Sequence, residues 1–506
     1  MRTRPLLASL VFVAAASAAL PALAATSASS WPQYQGNAAR TGFAAEAPAV
    51  PYRTAWSAPA GIGDTTHISG VPAPVLTDSL AIVVGREEVT AVDLVSGAAA
   101  WTAPRALGPS APAAMTGGLA LFLEGGGDES ASASSTPSAS ATSPTPSGSV
   151  RPGASPSEGA SPSASASPGA VATVTTTSTL VAIDLVTQER SWTVALSDVS
   201  HTGVLLIGRT AIVGTDDGRI TAIDADSGEQ SWSVDVGDHV LEPIAGTDDL
   251  VLASVRPEAK GSASLVALRI GDGSEAWRYQ PQTAVIDFGG PSVGGELAFV
   301  VGSDASIRAV DVTDGSERWA SQLYARTSGA PPAVGSDGVF VADGAGTVYD
   351  VDPATGDERW KFATNLTAIG APIVTPDAVL QPAGDGTIVA IDATSGHQIW
   401  HEGIGDGAVV GLAATSDVVV ATHTGTTPGF VALQTDPGAA TTEDITSPTA
   451  ADPSGLILAW IAAAAPIIAI LILLGRALGS RVGAPELGAD VDDIVDPWES
   501  DLEDES

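Results

Sequence analysis

The sequence predicts an all-β fold: an eight-bladed β-propeller of four-stranded antiparallel blades, followed by one C-terminal transmembrane helix. Three observations carry this expectation. One phrase ending in Trp recurs seven times, each period holds about four short apolar runs, and one long uncharged apolar stretch stands near the C-terminus.

The phrase is "ITAIDADSGEQSW" at 220, with close copies "VTAVDLVSGAAAW" at 89, "IRAVDVTDGSERW" at 307 and "IVAIDATSGHQIW" at 388. Its copies end at Trp101, Trp192, Trp232, Trp277, Trp319, Trp360 and Trp400, and after the first pair the spacing stays between 40 and 45 residues. Repetition at a fixed period of this size marks a repeat architecture. Within a copy, "ITAID" reads as a strand by its apolar alternation and β-branched content, "ADSG" as a tight turn, and "EQSWSVDV" as the returning strand. Asp224 is placed to accept backbone N–H bonds across the turn, and Gly228 to supply positive φ. The Trp carries more apolar surface than a lone hairpin covers, so it is expected to bury against the neighbouring repeat. A second pair of apolar runs precedes each phrase, as in "GAPPAVGSDGVFVADGAGTVYDVD" (329–352), which makes four strands per period and points to a propeller.

The leftovers set the blade number. After Trp400 comes one more strand, "GFVALQTDPG" (429–438), with Thr442 where Trp belongs, while "YRTAWSAPAG" (52–61) carries Trp56 with no hairpin partner before it. Joining the two ends completes an eighth blade and removes the open sheet edges. The propeller thus covers 31–436. The long gap between Trp101 and Trp192 holds residues 128–170, nearly all Ser, Ala, Pro, Gly and Thr. Such a segment buries too little apolar surface to offset its ordering cost, so a disordered insertion within one blade is expected.

Residues 1–24 have a basic start, an apolar run and Ala22-Leu23-Ala24, the pattern of a signal peptide. A linker (437–454) leads to the span at 455–475, whose core "LILAWIAAAAPIIAILILL" (456–474) covers about 30 Å as a helix. Arg476 and Arg481 follow at once, which orients residues 476–506 as an acidic cytoplasmic tail and the propeller as extracytoplasmic. The expected location is the cell membrane, as a single-pass protein.

Composition removes several function classes. The chain has 506 residues, no cysteine and a formal net charge of −37, so disulfides and thiolate chemistry are impossible and binding to nucleic acid is not expected. No histidines have metal-helix spacing; His397 and His401 are four apart, but on a turn and strand. One constellation points to binding. Thr66, His67, His201, His239, Glu242 and Asp287 lead into the innermost strands of successive blades, where loops converge on the central channel. No Ser/His/Asp nucleophile set is assigned.

The pattern Ala, any, Asp, three residues, Gly, three residues, Trp resembles the tryptophan-docking motif of the pyrroloquinoline quinone (PQQ) repeat superfamily, which includes quinoprotein dehydrogenases and BamB-like propellers. "WPQYQGNAARTGF" (31–43) resembles the segment opening many such domains. On this resemblance Trp56, Trp101, Trp192, Trp232, Trp277, Trp319, Trp360 and Trp400 are docking residues. For its dehydrogenase members the resemblance implies PQQ, calcium held by Glu, Asn and Asp, and commonly a disulfide between adjacent cysteines. Here cysteine is absent and the only asparagines are Asn37 and Asn365, so no cofactor is expected. The expected function is a non-enzymatic, membrane-tethered scaffold for a protein, peptide or cell-wall ligand. A PQQ-dependent dehydrogenase and a sensor signalling through the acidic tail are the alternatives.

Overall fold

The computed structural model describes residues 30–62, 72–126, 177–258, 261–325 and 329–438, all within the first of two compact units, Met1–Ile445 and Thr446–Ser506. The expected signal peptide, insertion, membrane span and tail, and Thr66 with His67, lie outside these residues. Among the described residues no helix is long and apolar enough to cross a membrane.

The described chain forms eight four-stranded antiparallel sheets, as the repeat spacing predicts. Blades are numbered here by their Trp, from Trp101 (blade 1) to Trp400 (blade 7), and their strands A to D run from the axis outward. Blade 3 is representative: Leu205–Ile207, Thr210–Gly214, Arg219–Asp224 and Gln230–Asp235. Strand C is buried on both faces because blades stack on either side of it, whereas the outermost strand alternates with solvent. Each apolar core therefore spans two blades; one joins Ile82, Ala91 and Trp101 of blade 1 to Ala120, Phe122 and Val181 of blade 2.

Blade 8 closes the ring from both chain ends. Tyr52–Pro59 is the outermost strand and pairs with Gly429–Thr435 from Tyr52↔Thr435 to Pro59↔Gly429. The insertion point falls between strands B and C of blade 2, which stay paired from Leu119↔Asp184 to Gly125↔Ser178.

The turn chemistry is what the repeat phrase implies. Asp224 Oδ1 accepts the amides of Asp226 and Ser227 and the Ser227 hydroxyl, and these bonds hold its carboxyl below the usual range. Gly228 has φ of 74°, and a Cβ there would lie 2.7 Å from the indole of Trp192 in the preceding blade. Glycine is thus required twice, by the backbone and by the docked ring. Trp192 Nε1 donates to the carbonyl of Ala225 in the same turn, and Trp56, Trp232, Trp277, Trp319 and Trp360 make the equivalent bond to Leu94, Ile270, Val312, Pro353 and Ala393. Two junctions depart from the rule. Trp101 meets a turn with Gln188 at φ 61° in the glycine position, and its Nε1 has no hydrogen-bond partner among the described residues. Trp400 instead packs edge-on against Tyr52, with ring centroids 5.1 Å apart.

Candidate functional site

Antiparallel four-stranded blades put all D–A and B–C connections on one side of the ring and all A–B and C–D connections on the other. Innermost strands sit at the axis with one edge unpaired, leaving orphan backbone donors. Residues 31–44 satisfy them. The Leu76 and Trp31 backbones exchange hydrogen bonds, Met115 donates to Pro32, Gly246 to Ala38, Val293 to Ala39, Val334 to Thr41 and Val374 to Gly42. The Gln33 side chain bonds both backbone groups of Leu206. This strap therefore touches blades 1 to 7 in order as it circles the axis. Arg40 is its fully buried centre, with its guanidinium donating to the carbonyls of Tyr34 (2.7 Å), Ile244 (2.9 Å) and Val204 (3.1 Å). Burial lowers its pKa to about 10, so it remains charged at neutral pH.

On the D–A side the structure joins four of the six channel residues inferred from sequence. His201 Nε2 lies 3.5 Å from Asp216 Oδ2, and His239 Nδ1 lies 2.6 Å from the Asp216 carbonyl oxygen. The His239 and Arg256 backbones exchange hydrogen bonds, and Arg256 Nη1 stands 3.9 Å from Asp287 Oδ2. Ser303 Oγ accepts the amides of Ile286 and Asp287, fixing the Asp287 loop. Glu242 faces this group. It is only partly exposed, and among the described residues its Oε2 is shielded from solvent without a hydrogen-bond partner, as is Asp216 Oδ1. Burial, reinforced by the Asp287 charge and opposed by Arg256, pushes the Glu242 carboxyl up to about 8; burial also raises Asp287. The result is an arc across the loops of blades 2 to 5. Sequence reasoning found His201, His239, Glu242 and Asp287 but missed Asp216, Arg256 and the strap, which matters here because Tyr34 is coupled electrostatically to Glu242.

Fold and docking geometry together define an eight-bladed, tryptophan-docked propeller of the PQQ-like type. The family described as outer membrane protein assembly factor BamB matches residues 176–330 and 303–454, more than half of the chain, and the chain belongs to that family. The outer membrane protein assembly factor BamB of Shewanella oneidensis is 25% identical over 130 residues, 25% of this chain; the match spans about a third (32%) of that relative. Among solved structures, a europium-containing methanol dehydrogenase superposes with a TM-score of 0.56 at 13% identity, covering 79% of this chain and 90% of that one. The quinohemoprotein alcohol dehydrogenase from Comamonas testosteroni gives 0.56 at 12%, covering 80% of each, and the computationally designed Ika8 protein 0.51 at 14%, covering 74% and 99%. At these identities they show the fold alone.

The dehydrogenase neighbours raise the question of a quinone and its metal. Among the described residues no three His, Asp or Glu side chains converge on a point that holds a metal ion. Among the described residues, the charged group that Glu242 and Asp287 share as a neighbour is the Arg256 guanidinium, which repels a cation. Calcium requires several converging oxygen ligands, so the described residues do not fit that group.

Proposed function

We propose that this chain is a non-enzymatic binding propeller, held outside the cytoplasm by the span at 455–475, which engages a polypeptide partner through its D–A side. The observation that carries the reading is the arc of His201, Asp216, His239, Glu242, Arg256 and Asp287. It gathers loops of successive blades into one polar surface, and two of its shielded carboxylate oxygens, on Glu242 and Asp216, lack partners among the described residues. Loop clusters on a rigid scaffold are common binding sites, and a buried unpaired polar atom calls for an explanation. A partner's hydrogen-bond donor satisfies both requirements. Membership of a family named for an assembly factor supports a binding role, and the strong negative charge favours basic segments on the partner.

The test is site-specific photocrosslinking in cells with the full-length chain, placing the crosslinker at exposed Asp238 beside the arc and, as a control, at exposed Arg53 on the outermost strand of blade 8. The reading expects a discrete protein adduct at 238 that weakens in the Glu242→Gln variant. Identical adducts at both positions, unaffected by that substitution, would contradict it.

A further inference from the structure

One blade breaks the repeat at two neighbouring positions on adjacent strands. The residue opposite the docking Trp is Ala in seven blades, namely Ala91, Ala182, Ala222, Ala267, Ala309, Ala390 and Ala432, but Asp350 in blade 6. Strand B compensates. The place of Leu80, Leu119, Thr210, Leu250, Leu297, Ala378 and Val418 in the other blades is taken by Gly338, and a Cβ at 338 would collide with Asp350 Oδ1. An acid has replaced a methyl, and a side chain has been deleted to admit it.

Both positions line a crevice of about 260 Å³ between blades 6 and 7, on the A–B side and away from the polar arc. Phe43 of the strap, Phe340, Val374 and Pro376 supply apolar walls. Asp350 is 3% exposed, and its Oδ1 is shielded with no hydrogen-bond partner among the described residues. Arg359, also on the wall, pairs with it only at long range and is outnumbered by the Asp352 and Asp337 carboxylates. Its Nη1 is 3.9 Å from Asp350 Oδ2, while the guanidinium donates to the Asp337 carbonyl and, at 2.7 Å, to the Asp352 carboxylate. A buried carboxylate oxygen without a donor is costly, and a concave site that combines apolar walls with such a group is suited to orient a ligand.

We propose that this crevice is a binding site for a small organic ammonium ion, its apolar body against Phe43, Phe340 and Pro376 and its charge toward the Asp350 carboxylate. Size and charge select the class: the volume admits a ligand of side-chain dimensions, and the carboxylates of Asp337, Asp350 and Asp352 outnumber the one guanidinium of Arg359. The site is independent of the partner-binding arc.

The probe is benzylammonium, titrated calorimetrically into the full-length protein, with benzyl alcohol and phenylacetate as matched neutral and anionic ligands. Saturable binding of the ammonium alone is expected. Asp350→Ala, which restores the residue of the other blades, and Asp350→Asn, which keeps the shape without the charge, are each expected to weaken it by roughly ten- to a hundredfold, the worth of a charged hydrogen bond. Thermal melts of both variants verify folding, and the retained site shape of Asp350→Asn separates lost charge from altered packing. Absence of saturable binding, equal binding of the alcohol, or unchanged affinity in both variants would overturn the proposal.

Discussion

Restoring the repeat in blade 6 should make the protein more stable. Asp350 is nearly inaccessible, its Oδ1 is unpaired, and burial, with the Asp352 and Asp337 charges, outweighs Arg359 and pushes its carboxyl from 3.8 up to about 6. A folded value above the unfolded one means that the native state binds more protons across that window. The group's contribution is therefore whole below about pH 3.8 and is lost as pH rises through about 6. A displacement of that size is worth about 3 kcal/mol. Asp350→Ala removes the penalty at the expense of a few van der Waals contacts beside an open crevice, so a gain of about 2–3 kcal/mol is expected at pH 7.5. The assay is chemical unfolding of both proteins without added amine, at pH 7.5 and again near pH 3.5, where most of the gain should be gone because Asp350 is then largely protonated in both states. Destabilisation by Asp350→Ala at pH 7.5, or a gain independent of pH, would refute the reasoning.

Three further outcomes follow from other parts of the fold. Arg40→Met strands the carbonyls of Tyr34, Val204 and Ile244 at the axis and should cost about 3–5 kcal/mol, read as a lowered unfolding midpoint. Gln188→Gly relieves the one left-handed docking turn that lacks glycine and should raise stability by about 1 kcal/mol in the same assay. Because the Glu242 carboxyl is raised from 4.5 to about 8, the native protein should lose stability between pH 4.5 and 8, and Glu242→Gln should flatten that slope; parallel melting curves for the two proteins would show that Glu242 does not titrate there.

What could be read from the sequence depended on whether the relevant interaction is local. Asp224, Gly228 and Trp232 lie within one hairpin, and their spacing carries the strand, the turn and the docking surface together. Trp56, without a hairpin partner, announced the closure of blade 8, where it pairs with Ala432. The strap at 31–44 could be recognised only as a leading segment, because its bonds run to backbone groups up to some 330 residues away, as from Gly42 to Val374, and no side-chain pattern encodes them. His201, His239, Glu242 and Asp287 were legible as residues leading into inner strands. Asp216 and Arg256 were not, since they sit on B–C turns whose approach to those strands is set by the ring. The Asp350 and Gly338 exchange left a signal in the sequence: "VYDVD" where other copies read "TAID" or "VAID". Its meaning required the structure, in which the Asp350 carboxyl reaches diagonally across the strand pair into the space that a Cβ at 338 would fill.

The central claim is that the ring binds a partner and does not perform quinone chemistry. The most direct measurement is to incubate the purified full-length protein with PQQ and calcium, remove free cofactor, and assay retention together with dye-linked oxidation of alcohols and sugars. The binding account predicts neither stoichiometric retention nor turnover, because Arg256 stands where Glu242 and Asp287 would need a further oxygen ligand. Tight one-to-one retention accompanied by turnover would contradict it.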